Sequence, residues 1–166
     1  MTTAPDLASL DLDSYREQGF VRLGRIADDA EVAALRAEEE RFRLDVGYGA
    51  PDNQTLRVNV QLCHRSRVVR DFCTAGPHVA AMTQLIGPDV CLTHQQFVTK
   101  LPDGDAQHSD IPMHQDDGYG RLEPMTDVTV WMALVDSTEA NGCLQIVPGS
   151  HRGGLLEHAP RRSTRC

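Results

Sequence analysis

Segments with apolar positions at helical spacing lie mainly in the first half of the chain, and strand-like segments mainly in the second. Asp11 to Gln18 predicts a short helix, with aspartates near its start and Gly19 at its C′ position. Phe20-Val21-Arg22-Leu23 alternates like a brief strand. Asp28 and Asp29 open a second helix running to about Asp45, with Val32, Leu35 and Leu44 as packing contacts and its many charges as a solvated face. Beyond the turn-rich loop Gly47 to Asn53, Leu56, Val58, Val60 and Leu62 alternate with Arg57, Asn59 and Gln61. That pattern predicts a half-buried strand whose polar side meets solvent or neighbouring strands. Two further helices, Arg65 to Thr74 and Pro77 to Ile86, end at Gly76 and Gly87.

From Asp89 to Leu101 the chain turns strand-like, with Val90, Leu92, Phe97 and Val98 among its apolar positions, and a polar loop follows from Pro102 to Gln107. Thr126 to Val135 predicts a strong strand. Asn141-Gly142 is the strongest short hairpin signal, Cys143 to Val147 the return strand, and Pro148 to His151 a turn. Helices first and strands second argue for an α+β protein with an antiparallel sheet packed on helices. One domain over 1–166 is expected: a mainly helical front part with one or two strands at 1–88, a strand-rich part at 89–160, and an irregular tail at 161–166.

Composition narrows the function classes. The net charge of −8 and pI near 5.2 argue against a nucleic-acid surface and against anionic membranes. No apolar run approaches the roughly 20 residues of a membrane helix, and Met1 to Asp6 lacks the pattern of a signal peptide, so a cytoplasmic protein is expected. Cys63, Cys73, Cys91, Cys143 and Cys166 form no CxxC pair and are odd in number, which suggests neither a zinc knuckle nor a disulfide framework.

The chemistry concentrates at His114-Gln115-Asp116. On an extended strand residues two apart share a face, so an imidazole and a carboxylate at this spacing can grip one metal ion. They would supply two corners of the 2-His-1-carboxylate triad that leaves half the sphere of non-heme Fe(II) open. His108-Ser109-Asp110 repeats the spacing between a Gly-rich loop and Pro112, where a strand is doubtful, and the second pair is preferred. On spacing alone, a surface loop carrying two polar residues explains either pair. His64 and His78, beside helix starts, read as surface or capping residues, and His94 as a core or site-lining histidine. His151 and His158 can coordinate a metal, although a turn histidine bonded to backbone is the commoner case. Trp131, mid-strand, reads as core unless its strand faces a pocket.

The run Phe97-Val-Thr-Lys-Leu-Pro102, then Met113-His-Gln-Asp-Asp-Gly-Tyr-Gly120, Val128-Thr-Val-Trp-Met-Ala-Leu-Val-Asp136 and Asn141-Gly-Cys-Leu-Gln-Ile-Val-Pro-Gly-Ser-His-Arg-Gly-Gly154 resembles the phytanoyl-CoA dioxygenase family, four motifs in family order. Asp13 to Val21 resembles the family opening. The resemblance implies a double-stranded β-helix, a cupin-like jelly roll, with N-terminal helices and incomplete in its C-terminal half. It implies Fe(II) as cofactor, 2-oxoglutarate as co-substrate, and O₂-dependent hydroxylation of a small organic molecule. His114 and Asp116 match the first two iron ligands, and Gln96 and Trp131 match positions lining the 2-oxoglutarate pocket. A basic residue is expected near Asn59, where this chain departs; Arg57 on the same face is the substitute. A carboxylate at Asp116 favours hydroxylation over halogenation.

The family's distal iron histidine and co-substrate arginine have no match. His151 matches the turn histidine and is the remaining candidate third ligand, while Arg161, Arg162 and Arg165 match nothing. The ending reads as a truncation or a shifted reading frame. Three functions stay open: an oxygenase completed from elsewhere, a catalytically inactive fragment or binding module of that fold, and a different metal site recruiting His151 or His158 for hydrolysis.

Overall fold

Asp28 and Glu31 begin the longest helix by capping each other. The Asp28 carboxylate accepts from the Glu31 N–H and the Glu31 carboxylate from the Asp28 N–H, both at 2.8 Å, which satisfies two of the N–H groups that a helix start leaves without partners. The computed structural model describes residues 10–43, 56–102, 111–118 and 127–158. Within these lie α1 (Leu12–Gln18), α2 (Asp29–Phe42), β1 (Leu56–Val60), α3 (Arg67–Ala75), α4 (Pro77–Ile86) and β2 (Gln96–Lys100), with short 3₁₀ turns at Leu62–His64, Asp116–Gly118, Glu139–Asn141 and Ser150–Gly153. Among the described residues no helix is long and apolar enough to cross a membrane.

The predicted helices form where their caps place them. Asp11 caps α1 by accepting from the Ser14 N–H, and Ser66 caps α3 by accepting from the Val69 N–H. Phe20 to Leu23, predicted as a strand, pairs with no described segment. The turn-rich loop at 47–53 and Leu44 lie outside the described residues.

The core gathers Leu35 and Phe42 of α2, Leu62 and Cys63 of the following turn, and Val69 of α3, with Phe72, Cys73, Phe97, Met132 and Leu134 packed against them. Two guanidinium groups also lie over the Phe42 ring, Arg41 at 4.8 Å and Arg65 at 4.7 Å from its centre. Burial of Leu35, Glu39 and Phe42 follows the helical repeat, so one of the charges expected on a solvated face is inside. Burial pushes the Glu39 carboxyl up, but hydrogen bonds from Arg43 and Thr99 and the charges of Arg43 and Arg36 outweigh it and hold the group below its ordinary value. The Thr99 Oγ1 donor, 2.5 Å away, lies on β2, so the buried carboxylate ties helix to strand.

Strands β1 and β2 pair antiparallel, Val58 opposite Val98 and Asn59 opposite Phe97. The strand's apolar and polar faces lie the other way round from the alternation forecast. Asn59 is 4% exposed, whereas Val98, opposite Val58, is 42% exposed. The helix C-terminus explains this. The Phe42 carbonyl needs a donor, and the Asn59 carboxamide supplies it at 2.8 Å. The face holding Arg57, Asn59, Phe97 and Thr99 therefore packs on the helices, and Leu56, Val58, Val60, Gln96, Val98 and Lys100 share the open face.

Residues 127–135 keep the forecast alternation, with Val128, Val130, Met132 and Leu134 half-buried and Asp127, Thr129, Trp131, Ala133 and Val135 exposed. They form no ladder, because a strand needs a hydrogen-bonded neighbour and none runs beside them among the described residues. Trp131, 51% exposed, faces away from the core. The forecast hairpin at Asn141-Gly142 is a 3₁₀ turn instead. The Asn141 side chain folds back to the Thr138 N–H and the Asp136 carbonyl, which widens the turn beyond a two-residue hairpin and leaves Cys143 to Val147 unpaired.

Pro148 to Arg152 closes onto the far end of the chain. The last carbonyls of α1, which have no partner within the helix, receive the Arg152 guanidinium at Glu17 (2.7 Å), the His151 Nε2 at Arg16 (3.0 Å) and the Gly149 N–H at Gln18 (2.8 Å). Gly19, at φ 83°, ends α1 where a side chain would strike the His151 ring.

His78, expected as a surface or capping residue, is instead buried against Phe72, ring centres 5.0 Å apart, with Nε2 donating to the Cys73 carbonyl and Nδ1 without a partner among the described residues. Burial pushes its pKa below the ordinary 6.5, against a smaller upward pull from that carbonyl. The unfolded chain takes up a proton as the pH falls through 6.5, while the folded one resists. Stability is therefore full above that pH and drains away as the pH falls below it toward the folded value. His78→Phe is expected to shrink the drop in Tm between about pH 7.5 and about pH 5.5 relative to the unmodified chain. An equal drop in both proteins would remove His78 as the source.

Candidate metal centre

His114 and Asp116 converge, though not along a strand. Residues 111–115 are irregular and the chain winds into a 3₁₀ turn at Asp116–Gly118, which swings the carboxylate back to the imidazole. His114 Nδ1 lies 2.7 Å from the Pro112 carbonyl, which can only accept, so Nδ1 carries a proton and Nε2 is the nitrogen turned to Asp116. Asp116 Oδ1 stands 3.3 Å from that Nε2. Two lone-pair atoms so placed repel unless a proton or cation sits between them. Ligands about 2.1 Å from a metal and at about right angles to it stand about 3 Å apart, so the pair has the bite of a chelate. The second carboxylate oxygen, Oδ2, accepts from Thr129 Oγ1 at 2.9 Å, which fixes which oxygen faces the imidazole. Partners of this kind orient ligands and raise their basicity.

Beside the pair lies an open hollow of about 200 Å³ lined by Gln115, Asp116, Asp117, Asp127 and Thr129. Its three carboxylates, with no lysine or arginine lining it among the described residues, suit a cation. An anion held here would depend on a metal or on residues elsewhere for its countercharge.

The other sequence-derived residues divide by face. Gln96 and Trp131 are both exposed, and the alternation of 127–135 puts Trp131 on the side of Thr129, which meets Asp116. Arg57 lies on the opposite, helix-packed face of the ribbon, paired with Thr99, so Arg57 and Gln96 are not brought to one pocket. His151 is engaged with the Arg16 carbonyl, and His158 with Leu156 O through Nδ1 (2.9 Å) and the Gln115 N–H through Nε2 (2.9 Å). Neither joins His114 and Asp116, and among the described residues no group of three His, Cys, Asp or Glu side chains converges. His94 is exposed, its Nδ1 3.4 Å from Gln61 Nε2. His108, Asp110, Arg161, Arg162 and Arg165 lie outside the described residues. Thr129 escaped the sequence reading, although the alternation of 127–135 already placed it on the face of Trp131. Gln115 gave no signal, since a residue between two ligands is indistinguishable from a spacer.

The family model for phytanoyl-CoA dioxygenase matches residues 15–165. The chain belongs to that family. It is 28% identical over 160 residues to the peroxisomal phytanoyl-CoA dioxygenase of Bos taurus, covering 87% of this chain and 48% of the relative. It is 36% identical over 167 residues to a probable phytanoyl-CoA dioxygenase of Caenorhabditis elegans, covering 87% and 53%, and 31% identical over 162 residues to an ectoine dioxygenase of Streptomyces avermitilis, covering 90% and 54%. The chain thus spans about half the length of the curated relatives it matches. No solved structure matches it. His114, Asp116, Thr129, Trp131 and His158 all fall inside the phytanoyl-CoA dioxygenase match.

Proposed function

We propose that this chain carries the front half of an Fe(II)- and 2-oxoglutarate-dependent dioxygenase centre that hydroxylates a small organic molecule with O₂, on the first strands of a double-stranded β-helix. The facing of His114 Nε2 and Asp116 Oδ1 at 3.3 Å carries this reading, because it turns one imidazole nitrogen and one carboxylate oxygen toward a common point. A bound Fe(II) supplies the redox chemistry with O₂ and 2-oxoglutarate that protein side chains lack. His114 and Asp116 would hold the ion, one neutral and one anionic donor, which leaves positions for co-substrate and oxygen. Pro112 keeps the imidazole proton on Nδ1, and Thr129 orients the carboxylate. Gln96 and Trp131, both exposed, are assigned to the co-substrate, a polar amide and an apolar ring suited to its oxygens and chain. The buried distal carboxylate of 2-oxoglutarate needs an arginine from residues other than Arg57.

A second reading, a non-catalytic module that binds metal without turnover, draws on one observation: no third donor stands near the pair among the described residues. Anaerobic addition of Fe(II) and 2-oxoglutarate separates the two. The dioxygenase reading expects a visible charge-transfer band and succinate on admission of air. Metal binding with neither band nor succinate supports the module, and absence of metal binding overturns both.

A further inference from the structure

We propose that Gln115 and His158 are the positioning residues of the metal pair, clamping the His114–Asp116 turn to the strap 154–158; this rests on the reading of that pair as a divalent-metal site. His114 and Asp116 are too exposed, side chains 30% and 60% accessible, for burial to hold their spacing. Gln115 between them is instead fastened on three sides. Its carboxamide Oε1 accepts from the Leu156 N–H at 2.8 Å and its Nε2 donates to the Gly154 carbonyl at 3.0 Å. A C=O and an N–H two residues apart are what one strand offers another, so this side chain pairs with the strap as an added strand residue would. The third fastening is the Gln115 backbone N–H, which donates to His158 Nε2.

The His158 tautomer is imposed. Nδ1 faces the Leu156 carbonyl, so it holds the proton and Nε2 is the acceptor that the Gln115 amide requires. His158 therefore has no nitrogen left for a metal. The ring lies close over the turn, where a Cβ on Gly118 would come within 2.8 Å of it. Each clamp bond joins residues about 40 apart in sequence, at separations of 43, 39 and 41. The strap thereby fixes the backbone from which both donors project.

The test uses the 166-residue chain with Mn(II) as probe, followed by EPR, and amide exchange of the metal-free protein by NMR. Gln115→Ala and His158→Phe are expected to weaken Mn(II) binding about 10–100-fold, as loss of a ligand-orienting partner does. Melting temperatures should move by only a few degrees. In His158→Phe the Gln115 amide should exchange about tenfold faster or more without metal, since its acceptor is gone. His158→Gln, whose carbonyl can take the place of Nε2, is expected to restore both. Mn(II) affinities within about twofold of the unmodified chain in both variants, with His114→Ala losing binding, would overturn the clamp. Should His114→Ala bind as well as the unmodified chain, the metal reading fails instead. The clamp is then judged on metal-free exchange, where an unchanged Gln115 amide in His158→Phe sinks it.

Discussion

Replacing His114 by alanine is expected to weaken Mn(II) or Fe(II) binding at least about 100-fold and to remove any succinate formation above background. The magnitude follows from the donor count. Loss of an outer partner alone costs about 10–100-fold, and His114 is one of only two converging donors among the described residues. Asp116→Asn sharpens the test. An amide can still accept from Thr129 and keeps the side-chain shape, but it removes the charge that favours a cation. The two variants should therefore fall together in metal affinity while their melting temperatures stay near that of the unmodified chain, because both side chains are solvent-accessible. A change of less than about threefold in either affinity would place the metal elsewhere.

The largest effect on stability is expected at Leu35→Ala. Leu35 is buried in the centre of the core cluster with Phe42, Leu62 and Val69. Truncation removes its transfer free energy and leaves a cavity that the cluster, pinned by Glu39–Thr99 and Asn59–Phe42, closes only in part. A loss of about 2–5 kcal/mol is expected, which for a chain of this size lowers Tm by about 5–15 °C. Val32→Ala, three residues earlier on a half-buried position, should cost well under half as much. Urea unfolding checks both, the midpoint falling with the slope m unchanged. Equal losses at the two positions would mean that α2 does not pack through the face of Leu35, Glu39 and Phe42.

The helices were legible because their signals are local. Asp11, Asp28 and Ser66 cap the helices they precede, and Gly19 stops α1, through bonds reaching three or four residues. The face of β1 was misread because alternation reports which residues are alike, not which side finds a partner. The open Phe42 carbonyl outweighed the valines. His78 was misplaced for a related reason, since its burial depends on α4 turning back against Phe72 at the end of α3. The strand pattern of 127–135 holds in its periodicity, while among the described residues no segment pairs with it, and pairing is what no segment can supply for itself.

At the candidate metal site the residue types at 114 and 116 and their motif context are in the sequence and fall within the family match. The tertiary structure decided how that pair is held. The bite comes from a 3₁₀ turn rather than a strand, Thr129 chooses the oxygen that faces His114, and the strap 154–158 grips Gln115. It also separated Arg57 from Gln96 and committed His151 to the end of α1. The physical reason is range. Caps, turns and metal-donor chemistry are settled by neighbours within a few residues, whereas these bonds join groups from 13 to 135 residues apart and exist only once the chain has packed.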